Sequence, residues 1–315
     1  MALTTHLPSI GYLQKIASNL LVRTFMKDTK FHIVNIVPQP ELHPLYGHAE
    51  VIESIKWGLN DLGYKVTTAL NTIDPKSTNI ICGAQMLSQD AIEALPDSTI
   101  VYNLEQVSEL NLAANPIARA IAQRCQIWEY SQGNFAKWQE LNPKHDLIYV
   151  PIGWAPVLDR LGKPQLQDID VLIYATPGQL RLQIFYELCM RGLACVFVCG
   201  LYGQARDDLI ARAKIVLNVN GAERNRVFEM VRVSYLLTNA KAVVANLQFG
   251  RNVEPGLDTA VAFFPEEQLA EGCISLVRND LARRDLEIRG QAFMRRRSVT
   301  PILRNALNHS SRRCI

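Results

Sequence analysis

The chain has 315 residues, 48% hydrophobic and 20% charged, which is enough for two ordinary domains with full cores. Its 33 Lys and Arg against 30 Asp and Glu leave a formal charge of +3, too small to imply a nucleic-acid partner, so any basic surface is local. The arginine clusters at Arg295–Arg297 and Arg312–Arg313 read first as solvated helix face or tail. Seven scattered cysteines show no CxxC and no Cys/His spacing suited to zinc. The amino terminus lacks the marks of a signal peptide, and no apolar run approaches the roughly 20 residues that span a bilayer. The chain is expected to be soluble and cytoplasmic, and it could still touch a membrane peripherally.

Strand-length apolar runs alternate with helix-length periodic segments almost from end to end. Strands are expected at Phe31–Pro38, Lys65–Leu70, Asn79–Ala84, Ser98–Val107, Gln126–Ser131 and Asp146–Gly153. Between them lie helices at Val51–Tyr64, Ser88–Leu95, Pro116–Arg124 and Phe135–Leu141, the second with Ser88 as a plausible cap. Gly153 to Asp170 carries two prolines and no strong periodicity, which places a domain boundary there. The grammar then resumes, with strands at Asp170–Ala175, Leu193–Gly200, Lys214–Asn220, Lys241–Asn246 and Thr259–Phe264. Its helices are expected at Gln179–Arg191, Gln204–Ala213, Glu223–Asn239, Glu266–Asn279, Leu281–Arg297 and Thr300–His309. Such alternation predicts an α/β protein of two Rossmann-like domains, each a parallel sheet covered by helices, facing each other across a cleft. The expected division is 1–153, 154–299, and a final helix and tail over 300–315.

In this class ligands bind beyond the carboxyl ends of the strands, so the loops there carry the candidate chemistry. Gly178 precedes a helix whose first amides and Arg181 could meet a phosphate, although an ordinary strand-to-helix turn would look the same. Asn218 and Asn220 share one face at the end of an apolar strand and need partners there. Arg226 and Glu229 are three apart on the following helix, with Arg232 three further on. Val227, Val231, Tyr235 and Leu236 would bury the opposite face, leaving a carboxylate for a ribose diol and an arginine for a diphosphate. A surface ladder of Arg, Glu and Arg is the competing reading. In the first half, His48 opens a helix after the first strand and could take a proton from an acceptor hydroxyl, in competition with His43. Glu105 is a second candidate base, and a strand-end ion pair is its plainer reading.

The segment RVFEMVRVSYLLTNAKAVVAN, preceded by KIVLNVN, resembles the nucleotide-sugar-binding segment of GT-B-type glycosyltransferases, particularly the bacterial family 1 or spore-maturation-protein-like group. The resemblance implies that Glu229 takes the ribose, that Arg226 lies near the phosphates, and that Gly178 and Arg181 form the first loop of the donor domain. Many retaining members carry a second glutamate where this chain has Leu237, so the resemblance carries the nucleotide site without the retaining mechanism.

The expected function is transfer of a sugar from a nucleotide-diphosphate sugar to a glycan, lipid or protein acceptor, with the first domain on the acceptor side. No cofactor and no metal is expected, because arginine and helix amides can stabilise the leaving group. Asp168–Asp170, the DxD-like string, reads as surface charge. The alternative is a non-catalytic nucleotide or sugar-binding protein, such as a degenerate partner subunit. A nicotinamide dehydrogenase is disfavoured because no GxGxxG follows any expected strand.

Overall fold

A computed structural model describes residues 29–37, 47–107, 112–162, 166–219, 227–246 and 253–311. Its first sheet contains β1 (Lys30–Asn35), β2 (Lys65–Leu70), β3 (Thr78–Cys82), β4 (Ile100–Asn103), β5 (Gln126–Glu129) and β6 (Leu147–Tyr149). These strands pair in the order β2-β1-β3-β4-β5-β6, every pair parallel. The apolar runs were legible as strands because both sheet faces are covered: Ile33, Ile80 and Ile127 are fully buried. The covering helices are α1 (Ala49–Asp61), α2 (Gln89–Glu93), α3 (Pro116–Arg124) and α4 (Gln132–Gln139). Ser88 caps α2 by accepting from the Ala91 amide, and Asn115 caps α3 with Pro116 in its first turn.

The second sheet runs β11-β10-β9-β7-β8, again all parallel. It is built from β7 (Ile169–Tyr174), β8 (Cys195–Val198), β9 (Ala213–Asn218), β10 (Ala242–Asn246) and β11 (Ala262–Phe264). Its helices are α5 (Gln179–Met190), α6 (Gly203–Arg212), α7 (Met230–Thr238), α8 (Leu257–Ala260), α9 (Leu269–Arg278) and α10 (Asp280–Arg295). Both strand orders contain a switch point, between β1 and β3 in one sheet and between β7 and β9 in the other. Loops leaving adjacent strands diverge at such a point and open a crevice.

Of the helix expected over Glu223–Asn239, residues 223–226 lie outside the described residues; Val227–Glu229 are not helical, and the helix begins at Met230. Val227 is buried beside Gly133, and the Phe228 ring packs on Phe263 at 5.2 Å, so docking of these two side chains holds the chain out of the helix. Nor does α7 show a polar flank. All of its residues except Arg232 are buried, because it lies between the second sheet and α10.

The last helix, α11 (Val299–Ser311), returns to the first sheet and packs on α1. Two glycines allow that approach: a β-carbon on Gly153 would lie 2.6 Å from the Val299 Cα, and one on Gly58 2.8 Å from Val299 and Leu303 methyls. A parallel bridge from Trp154 to Ser298 ties the outgoing and returning strands of chain together.

Candidate active site

The carboxyl ends of the two sheets face one another across a cleft of about 530 Å³. The first-domain wall begins with His48, which sits at the amino cap of α1 and places its Nε2 3.4 Å from the Glu105 Oε1. Two residues considered separately as bases therefore form one pair. The hydrogen bond from His48 holds the Glu105 carboxyl below the usual carboxylate range, against a smaller opposing effect of burial. Gly83 completes this wall at φ +84°, and a β-carbon there would meet the Ile36 carbonyl oxygen at 2.9 Å, so both conformation and space favour glycine.

Glu105 is held by a buried hub that the sequence reading missed. Asn103 and Asn134 donate their side-chain amides to the Glu105 carbonyl at 2.9 and 2.7 Å. The same two amides donate to Glu129, which also accepts from the Trp138 indole and the Ser131 amide. Burial pushes the Glu129 carboxyl up to about 7 even against these donors. The available signal was a glutamate closing the otherwise apolar end of the QIWE strand, a position that needs partners if buried.

The second-domain wall comes from the ends of β7 and β8 and from α7. Glu229 occupies the amino cap of α7 without bonding the helix amides, and it accepts from the Gln106 side chain of the opposite domain at 3.3 Å. Arg232, one turn on, lines the cleft with its guanidinium 5.2 Å from the Tyr174 ring centre. It donates to the Asn218 Oδ1 at 3.2 Å, and among the described residues no carboxylate pairs with it. Asn218 is buried at the end of β9, and among the described residues its Nδ2 has no partner. Tyr174, Asn218 and Arg232 thus meet where β7 and β9 diverge.

Arg181 is placed differently from a free phosphate ligand. It donates to the Val219 and Thr176 carbonyls at 2.8 and 2.7 Å and does not line the cleft, so it fastens the loops that form the wall. Gly178 caps α5 with extended backbone (φ −157°), which any residue adopts. Asn220 and Arg226 lie outside the described residues, as does His43. Leu237 is fully buried, and a β-carbon on Gly290 would press into it, so that position faces α10 rather than the cleft. Asp168 and Asp170 pair with Arg212 and Lys214 at the opposite, amino end of β7.

The cleft floor is ionic. Arg206 of α6 contacts Glu50 of α1 at 2.6 Å and Asp207 at 2.7 Å, and the Tyr235 hydroxyl donates to the other oxygen of Asp207 at 2.7 Å. All four are buried.

Two wholly parallel sheets facing each other across a cleft at their carboxyl ends are the GT-B fold, the fold of one large class of glycosyltransferases. Solved structures similar to this chain include HepE from Anabaena in complex with UDP, at 12% identity and a TM-score of 0.58, matching 90% of this chain and 100% of that one. T4 phage BGT in complex with its UDP-glucose substrate matches at 12% identity and a TM-score of 0.53, over 90% and 99% of the two chains. AviGT4, a glycosyltransferase involved in avilamycin A biosynthesis, matches at 15% identity and a TM-score of 0.53, over 90% and 97%. No family model matches the chain, and neither does any curated protein sequence. Among the described residues, no helix is long and apolar enough to cross a membrane.

Proposed function

We propose that this protein is a hexosyltransferase-like glycosyltransferase that uses a nucleotide-diphosphate sugar. The observation that carries the reading is the placement of Glu229 and Arg232, a carboxylate and a cation with no carboxylate partner among the described residues, on the second-domain wall opposite the His48–Glu105 pair. Glu229 accepts from the ribose diol, as a carboxylate does at the corresponding place in dinucleotide folds. Arg232, rather than Arg181, meets the diphosphate, assisted by the first amides of α7. His48 takes the acceptor hydroxyl proton while Glu105 orients its ring. The acceptor oxygen bonds to the anomeric carbon as the bond to the diphosphate breaks, and the departing charge falls on Arg232. The HepE and BGT structures hold UDP or UDP-glucose, which puts uridine donors first in any panel. The six described cysteines are all free, in keeping with a reducing cytoplasm.

Thermal-shift measurements with nucleotides and nucleotide sugars test the reading, since a ligand bound only by the folded state raises Tm. At least one nucleotide sugar is expected to raise Tm, and Glu229→Ala to weaken its binding roughly 10- to 100-fold while leaving the unliganded Tm in place. A folded sample that no nucleotide or nucleotide sugar stabilises would overturn the assignment. Donor binding without slow hydrolysis of the donor would instead identify a non-catalytic binding protein.

A further inference from the structure

A second concavity of about 970 Å³ lies between the exit of β6 and the outer face of α10, and it shares no lining residue with the cleft. Among the described residues its charged lining is Arg289, Arg296 and Arg297 against Glu254 alone. Glu254 is committed, since it pairs with Arg297 and accepts from the Tyr149 hydroxyl at 3.3 Å. Arg297 also stacks 5.1 Å from the Phe293 ring centre, which fixes it against an apolar wall. Arg289 pairs with Asp285, outside the groove lining, and donates to the Thr259 carbonyl. Arg296 is exposed, and among the described residues no carboxylate pairs with it.

Beside this cation the groove is apolar. Ile288 is 67% exposed within it, and Phe293, Pro301 and Ile302 continue the surface. A concave, partly exposed apolar wall beside a guanidinium with no carboxylate partner among the described residues matches a ligand that has both a hydrocarbon part and an anionic head. A neutral glycan would leave Arg296 unpaired, and a bare anion would leave Ile288 in water. Guanidinium binds phosphate and carboxylate oxygens bidentately, so either head suits the site.

We propose that this groove is a binding site for an amphipathic anion, a phosphate or carboxylate carrying a hydrocarbon chain. The site is independent of the nucleotide-sugar reading and stands if that reading fails.

Isothermal titration of the full chain with dodecyl phosphate below its micellar concentration tests it, with dodecyl maltoside and inorganic phosphate as controls. Saturable one-to-one binding of dodecyl phosphate is expected, at least about 10-fold tighter than either control, because each control lacks one of the two contacts. Arg296→Glu and Ile288→Asp are each expected to weaken it by about 10-fold or more, with Tm and nucleotide binding unchanged. Equal binding of dodecyl maltoside, or unchanged affinity in both variants, overturns the proposal. Co-sedimentation with phosphatidylglycerol vesicles that Arg296→Glu abolishes identifies a bilayer lipid as the source of the ligand. Dodecyl phosphate binding without co-sedimentation identifies a free amphiphile.

Discussion

His48 and Glu105 are distant in sequence, and each was legible only as a candidate from its loop after a strand. Their pairing was not, because it depends on where Asn103 and Asn134 hold the Glu105 backbone. The pair makes a signed prediction. The hydrogen bond from His48 lowers the Glu105 pKa in the folded protein, so the ionised carboxylate contributes stability above its unfolded pKa of about 4.3, and that contribution is lost as pH falls through the lower folded value. His48→Ala should move the Glu105 carboxyl titration upward in a carbon-detected NMR experiment. The Tm gap between variant and parent should narrow in acid. In the proposed reaction, His48→Gln should lower kcat by about 100-fold or more, with the donor KM little changed; an unchanged kcat would remove His48 from the chemistry. Arg181 teaches the converse lesson. An arginine at a helix start looks like an anion ligand in sequence, yet strand-end loops expose backbone carbonyls that need donors, and those of Thr176 and Val219 take it.

At the scale of elements, the strands were readable because parallel strands covered on both faces are unbroken apolar runs, as in the buried Val171–Ile173 and Ala242–Ala245. The start of α7 was not readable, since Val227 and Phe228 fit a helical stripe as well as they fit the docked conformation they adopt. The hub at Glu129 was equally hidden. Its partners come from β4 and α4, and only the folded sheet brings them within 2.7–3.1 Å. Each Glu129 oxygen faces two donors, so Glu129→Gln would turn an NH₂ group toward two other N–H groups. The expected cost is about 3 kcal/mol in urea unfolding, together with a looser 104–107 loop seen as faster amide exchange. Unchanged stability would mean that the hub relaxes without penalty and does not position Glu105.

For the whole molecule, two domains were visible as two rounds of strand–helix alternation around a proline-containing break, whereas the return of α11 was not. The notches at Gly58 and Gly153 acquire meaning only once Val299 is known to fill them. The domains are further joined by a ladder of charge from Glu50 and Glu53 of α1, through Arg206, Asp207 and Tyr235, to Arg160 in the connecting segment. Its two ends differ in solvent access, and that difference decides their energetics. The Arg206 and Glu50 side chains are only 6% and 8% exposed, so removing the arginine strips the buried Glu50 carboxylate of its cation and leaves Asp207 with the Tyr235 hydroxyl and the more distant Arg160. Arg160 and Glu53 are 39% and 35% exposed, where water screens the pair. Arg206→Ala should therefore cost about 3–5 kcal/mol in guanidinium unfolding, and Arg160→Ala no more than about 1 kcal/mol. Because Glu50 belongs to one domain and Arg206 to the other, Arg206→Ala should also let the domains move apart, raising the radius of gyration in solution scattering before global unfolding. Equal costs for the two variants would mean that the ladder is hydrated throughout and does not set the spacing of the cleft.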